Sequence, residues 1–270
     1  MYKLEKFYPQ GFNFQQYRDD KYSDKYSKEH IAGKSSEEFR KQGFWPLLEK
    51  HLEKGKHYLD AGCGIGGWIL FLKEEGYDVE GIDMAARVVR ALTEYDRDLK
   101  VKVASMTGIP YPDDSLDGLL AIGALEYVEG KVPQALAEVH RVLKDNGIFF
   151  MEVPMINVLR RLAYIPLKRI EKMIRAGGGE NSTFSNYLFD KSELEELLEA
   201  TGFEVLTVQP HELPEADGHY GLYIDWPFFR GSAPYRLNLL GKAVKALANA
   251  ISPGVASTGM VIVARKRKYE

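Results

Sequence analysis

The sequence holds one cysteine, Cys63, in 270 residues, so no disulfide can form within the chain. No apolar run reaches the roughly 18 residues that a membrane-crossing helix needs. The opening residues Met1-Tyr2-Lys3-Leu4-Glu5-Lys6 carry no apolar stretch of the secretory-leader kind, and a cytoplasmic location is expected. An excess of either charge is missing too. Basic residues number 36 against 39 acidic, a formal charge of -3, which excludes a whole-surface grip on nucleic acid. There is no internal repeat and no low-complexity tract. What is present is globular: 45% apolar and 28% charged residues, enough for a large core. At about 150 residues per domain the length allows one to two domains.

Residues 1–45 are polar and rich in Tyr and Lys. Tyr17, Tyr22 and Tyr26 are spaced to share one face of a helix, so 1–45 are predicted as a helical lid segment. Helical periodicity runs on through Phe44, Trp45, Leu47, Leu48 and Leu52 to a stop at Gly55. Strands and helices then alternate. His57–Asp60, Tyr77–Asp83, Val101–Ala104 and Gly118–Ile122 read as strands, with helices at Trp68–Leu72, Ala85–Tyr95 and Pro133–Leu143. Asp145-Asn146-Gly147 is a tight turn into Ile148–Val153, an almost wholly apolar strand of the type buried on both faces. Short loops between such elements imply a parallel sheet covered by helices on both sides. Beyond residue 154 the alternation stops. A basic amphipathic stretch leads to Gly177-Gly178-Gly179, and Ser192 with Glu195 forms a capping box for a helix ending at Gly202. Phe203–Val208 and Met260–Ala264 read as strands, with a second basic helix at about 235–251 between them. One α/β unit over 46–270 is expected, with cap insertions at about 155–185 and 210–252.

Leu59-Asp60-Ala61-Gly62-Cys63-Gly64-Ile65-Gly66-Gly67 leaves a strand and enters a helix. Glycines let the backbone come close to a ligand, and the helix N–H groups beyond suit a carboxylate or phosphate. Gly62, Gly64 and Gly67 fit the dinucleotide spacing GxGxxG, while Gly62, Gly64 and Gly66 fit GxGxG. Asp83 closes the second strand about 20 residues on, where a carboxylate can accept both ribose hydroxyls of NAD or of an adenosyl cofactor. Asp60 discriminates between them. A carboxylate beside a pyrophosphate repels it, whereas the cationic amino acid end of an adenosyl cofactor attracts it.

With these residues in view, the chain resembles the class I S-adenosylmethionine-dependent methyltransferases, the seven-stranded Rossmann-like family. The resemblance covers about 55–154 and, more weakly, 185–265. Leu59–Gly66 is similar to the first family motif and Glu80-Gly81-Ile82-Asp83 to the second. Ile109–Asp117 looks like the segment entering the fourth strand, and Ala137–Gly147 like the stretch before the fifth. The resemblance implies a doubly wound α/β sheet ordered 3-2-1-4-5-7-6, its last strand antiparallel. It implies S-adenosyl-L-methionine as cofactor, with S-adenosyl-L-homocysteine as product. By position, Asp60 and the Gly62-Gly64-Gly66 loop would take the methionine part, Asp83 the ribose and Met84 the adenine. Ala121 and Ile122 would meet the methionyl end through backbone groups. The family commonly has Asp-Ala where this chain has Ser105-Met106. A Ser105 hydroxyl would be the weaker acceptor for the adenine amino group, and Met106 would cover the ring.

The resemblance implies an enzyme that methylates a small or lipid-like acceptor. The alternatives are a non-catalytic subunit that binds the cofactor for a partner and an NAD-dependent oxidoreductase. Glu126 and Tyr127, just past the fourth strand, are the catalytic candidates, with Glu126 equally readable as family scaffold. Positioning alone can supply much of the rate of methyl transfer, so no further catalytic motif is required. His211, Glu212, Glu215, Asp217 and His219 crowd one loop, but no compact His spacing supports a metal. That loop is predicted to line the acceptor pocket, and His140 is predicted as a solvated residue. Arg160, Arg161, Lys168, Arg169, Lys172 and Arg175 in one basic stretch and Arg236, Lys242 and Lys245 in the other suggest a cationic rim. Such a rim would suit an acidic or lipid-linked acceptor, or an anionic membrane. No nucleic acid partner is expected, and the sequence leaves the oligomeric state open.

Overall fold

Burial along the chain alternates with strand period two, and this fixes two cores on opposite faces of one sheet. In β6 (Leu143–Pro154), Phe149, Met151 and Val153 enter one core while Phe150 enters the other. In β9 (Gly259–Lys266), Met260, Ile262 and Ala264 join the first core, and Val261 and Val263 the second. A strand buried on both faces has no room for polar residues, which is why these runs are almost wholly apolar. The computed structural model describes residues 1–8, 31, 36–177, 181–212 and 220–268.

The described strands are β1 (Tyr2–Tyr8), β2 (His57–Ala61), β3 (Asp78–Asp83), β4 (Val101–Val103), β5 (Leu116–Ile122), β6, β7 (Asn181–Leu188), β8 (Phe203–His211) and β9. Seven form the main sheet in the order β4-β3-β2-β5-β6-β9-β8. Counted along the chain within that sheet, this is 3-2-1-4-5-7-6, as expected. β9 runs antiparallel to both β6 and β8, and the other pairings are parallel. The described helices are α1 (Ser36–Arg40), α2 (Trp45–His51), α3 (Gly67–Glu74), α4 (Ala86–Tyr95), α5 (Val132–Val142), α6 (Ile165–Gly177), α7 (Lys191–Ala200), α8 (Tyr220–Asp225) and α9 (Leu239–Ile251). Side chains of α1 to α4 pack into the second core, and those of α5 and α7 into the first.

Four expectations are corrected. The first residues are a strand, not helix. β1 pairs antiparallel with β7, a strand predicted as part of a basic cap, to make a separate two-stranded sheet. Tyr17, Tyr22 and Tyr26 lie outside the described residues, as do Gly178 and Gly179. Asp145-Asn146-Gly147 is a bulge within β6 and not a turn before it. Leu143 and Ile148 pair with Leu116 and Gly118, and Asn146 takes the left-handed conformation at φ 63°. The cap of α7 is Asp190, whose carboxylate accepts the N–H groups of Ser192 and Glu193 at 3.1 and 3.4 Å. An ionised acceptor one residue before the helix wins over the Ser192 hydroxyl, which already lies inside the first turn. His140 is half-buried with its ring edge-on to Phe203 at 5.4 Å, and burial lowers its basicity.

Candidate functional site

The carboxyl ends of β2, β3, β5 and β6 converge, and each delivers a polar group or a sharp turn. After β2 the chain turns through Gly62 at φ 84° and Gly66 at φ 75°. A Cβ on Gly62 would stand 2.5 Å from that of Ala124, so both conformation and space exclude a side chain. Gly66 is the left-handed cap of α3, while Gly67 is already the first helical residue against Phe39. The spacing that matters in the turn is therefore Gly62-Gly64-Gly66. Cys63 between them is buried, and burial raises its thiol pKa, so it stays protonated.

Asp83, at the end of β3, ties this turn down. Its Oδ2 accepts the Gly64 N–H at 2.9 Å and its Oδ1 the Ala85 N–H at 2.8 Å. Asp60 lies buried near the end of β2. Burial, with Asp83 nearby adding repulsion, pushes its carboxyl up to about 7. A carboxyl held in that state favours a cation beside it. Met84 is 72% exposed and free to cover a ring. Met106 does not fit the covering role predicted for it. It is packed into the first core and has almost no surface left to offer a ligand. The Ser105 hydroxyl already accepts the Thr107 N–H at 3.1 Å and sits 2.9 Å from the Thr107 hydroxyl. Ala121 and Ile122 pair with Met151 and Glu152 in the sheet.

Beside this groove is a cavity of about 480 Å³, within the range of small-molecule sites. Glu126, Tyr127, Glu152, His211 and Gly259 line it, with Leu4, Leu188, Tyr164 and Ile224 among its walls. Glu126 and Glu152 converge over Gly123. A Cβ there would lie 3.8 Å from Glu126 Oε1 and 3.9 Å from Glu152 Oε2. Burial raises Glu126 to about 8, with Glu152 adding repulsion, and burial raises Glu152 to about 7. Burial also lowers His211 to about 4, so its ring is neutral. Glu126 Oε2 and His211 Nε2 are buried without a hydrogen-bond partner among the described residues. Tyr127, by contrast, is largely exposed at the rim.

The sequence pointed to Glu126 and Tyr127 but missed Glu152. Its signal was the single acid near the carboxyl end of an otherwise apolar strand, where open α/β sheets hold ligands. His211 was read with the acidic loop that follows it. It belongs instead to β8, opposite Gly259 in the register. Among the described residues no group of His, Cys, Asp or Glu is arranged to hold a metal. Glu215, Asp217 and His219 lie outside them.

Of the expected cationic rim, Arg160 and Lys168 line the cavity, and both are also held in ion pairs. Arg160 is buried in a bidentate pair with Asp225 at 2.6 and 3.2 Å, and donates to the Met155 and Thr258 carbonyls at 2.8 and 3.0 Å. Arg161 pairs with Asp190, and Lys168 with Glu171 at 2.7 Å. Arg160 joins separate parts of the cap, whereas the Lys168 pair lies within one helix.

The family described as a methyltransferase domain matches residues 36–208. A demethylmenaquinone methyltransferase of Alkalihalophilus pseudofirmus is 27% identical over 63% of this chain and 80% of its own. A sterol 4-C-methyltransferase of Caenorhabditis elegans is 29% identical over 45% of this chain and 38% of its own. The chain spans less than two thirds of the length of several curated relatives that it matches. A solved protein from Pyrococcus horikoshii superposes over 95% of this chain and all of its own, with a TM-score of 0.58 at 19% identity. That likeness is one of fold.

Proposed function

The chain belongs to the methyltransferase domain family, and on that premise we propose that it moves a methyl group from S-adenosyl-L-methionine to a small, lipid-like acceptor. The observation that carries this reading is the junction of Asp60, the Gly62–Gly66 turn and Asp83 at the ends of adjacent strands. The fit is chemical. A buried carboxyl raised to about 7 gains from an ammonium group, and the turn runs through left-handed backbone with open space at Gly64. Asp60 and the turn would hold the methionine end, Asp83 the ribose and Met84 the adenine face. Ser105 would be a weak partner for the adenine edge, and the backbone of Ala121 and Ile122 would border the methionyl end. When bound, S-adenosyl-L-methionine supplies an electrophilic methyl on a sulfonium.

This chain's own part is then to bring the acceptor in line, exclude water and manage a proton. Glu126 and Glu152 share the cavity floor, and two buried carboxyls so close do not both ionise readily. Of the two, Glu152 ionises first, and Glu126 can take the proton of an acceptor hydroxyl at its Oε2 once it ionises as pH rises through about 8. The apolar walls Leu4, Leu188 and Ile224, and the named acceptors of the menaquinone and sterol relatives, support a lipid-like molecule.

The test is calorimetric titration with S-adenosyl-L-methionine and with NAD, followed by incubation with demethylated quinones and sterols. Binding of the first cofactor alone, with S-adenosyl-L-homocysteine released and one methylene unit gained by an acceptor, is expected. Tighter NAD binding overturns the reading. Cofactor binding with no turnover on any acceptor leaves the role of a cofactor-binding subunit.

A further inference from the structure

Helix α6 is folded inside out. Its charged side faces the protein: Lys172 pairs with Glu5 of β1 at 2.5 Å, and Arg169 and Arg175 lie over the rings of Tyr2 and Phe7 at 5.9 and 5.6 Å. Its apolar stripe, Leu167, Ile170, Met173 and Ile174, points to solvent, with Met173 74% exposed. An amphipathic helix on an ordinary globular surface does the reverse. Helix α9 also leaves large apolar side chains outside, although its inward side is apolar and Lys242 is exposed. Gly241 and Ala248 are buried, while Leu239, Leu240, Leu247 and Ile251 are exposed, Leu239 to 87%.

The two helices rest on one support. Leu222, Phe229 and Leu237 form a small core that takes Val244 from α9 and Leu159 from the turn leading into α6. Arg160 and Tyr164 in that turn grip Asp225 and Trp226 beside it. Lys168 of α6 and Ile224 of α8 also wall the cavity. So many large apolar side chains exposed on two helices joined to one small core mark a surface that something else covers.

We propose that the outer faces of α6 and α9 lie on an anionic lipid surface, with their apolar side chains in the acyl boundary. Charge selects this occupant over a second copy of the chain. Arg169, Lys172 and Arg175 of α6 turn toward β1, so the outward charge comes from α9, which carries Lys242 and Lys245 and no acid in a chain whose net charge is -3. Face-to-face pairing of two α9 helices would set lysine against lysine, whereas anionic headgroups complement them.

The test uses the full chain with phosphatidylcholine vesicles, with and without phosphatidylglycerol, in a co-sedimentation assay at low salt. Binding at least about tenfold tighter to the anionic vesicles is expected, weakened by high salt. Replacing Leu167, Ile170, Ile174, Leu240, Leu247 and Ile251 with Ser should lower that binding by at least about tenfold, with circular dichroism and melting unchanged. Lys242→Gln with Lys245→Gln should narrow the preference for anionic over neutral vesicles. None of these readouts depends on methyl transfer. Failure of the native chain to bind anionic vesicles overturns the proposal, as does equal binding by the serine variant. A lipid-free dimer in sedimentation velocity that the serine substitutions dissociate assigns the face to a second copy instead.

Discussion

The Asp83 carboxylate is engaged before any ligand arrives, because the Gly64 and Ala85 N–H groups both donate to it. Asp83→Ala therefore frees the glycine turn as well as removing the ribose acceptor. Hydrogen bonds to a charged group contribute roughly 1.5–3 kcal/mol, so S-adenosyl-L-methionine affinity should fall about 10- to 150-fold. Calorimetric titration checks this, and unchanged affinity removes Asp83 from the site. Glu126 and Tyr127 separate by burial. Glu126 is buried with an unpartnered oxygen, whereas Tyr127 stands at the rim. Glu126→Gln keeps the shape and should cut turnover by about 100-fold or more at unchanged cofactor affinity, the size of a lost general base. Tyr127→Phe should retain most activity. The opposite ranking in steady-state kinetics would transfer the proton-accepting role to the phenol.

At the scale of elements, the cap depends on one buried ion pair. Arg160, in the turn before α6, joins Asp225 at the end of α8 and the carbonyl of Thr258 just before β9. Breaking such a pair leaves a charge buried alone, which costs about 3–5 kcal/mol. Arg160→Met should therefore lower the melting temperature substantially, and adding Asp225→Asn should restore part of the loss. Thermal denaturation of the two variants checks the order. A silent Arg160→Met would mean that the cap is not anchored there. The reversed orientation of α6 has a cause at the same scale. Strand β1 presents Tyr2, Glu5 and Phe7 to the helix, and the basic side chains turn inward to meet them.

Across the whole molecule, three buried carboxyls share one direction. Asp60, Glu126 and Glu152 are raised to about 7, 8 and 7 from ordinary values of 3.8 to 4.5. The folded state then binds more protons than the unfolded state across that interval. Their contribution to stability is full below the ordinary carboxyl values and is lost as pH rises through 7 to 8. Buried His211 acts oppositely. Its contribution is present above 6.5 and lost as pH falls through about 4. His51 and His140, lowered by burial, share its sign. Between pH 6.5 and 8 the carboxyls govern, so the ligand-free chain should melt at a lower temperature as pH rises. The double variant Glu126→Gln, Glu152→Gln should flatten that slope in a pH series of melting curves. A native melting temperature that climbs with pH would contradict the burial of these groups.

The sequence by itself determined the parts governed by local pattern. Alternating strands and helices, the Gly62-Gly64-Gly66 turn, Asp83 at a strand end and the two-faced apolar run of β6 are each written within a few consecutive residues. Their physics is local: backbone conformation, side-chain period and capping. Even there a neighbouring charge could intervene, as when Asp190 took the cap of α7 from Ser192. Tertiary structure alone decided what depends on residues far apart in the chain. The pairing of β1 with β7 joins residues more than 170 positions apart. The convergence of Glu126, Glu152 and His211 requires β5, β6 and β8 to end side by side around β9. Arg160 read as one more surface cation until Asp225 closed over it. A charge list cannot tell a rim from a buried latch, because burial is a property of the assembled fold. For the same reason the amphipathic pattern of α6 disclosed that the helix has two faces, while β1 determined which of them turned outward.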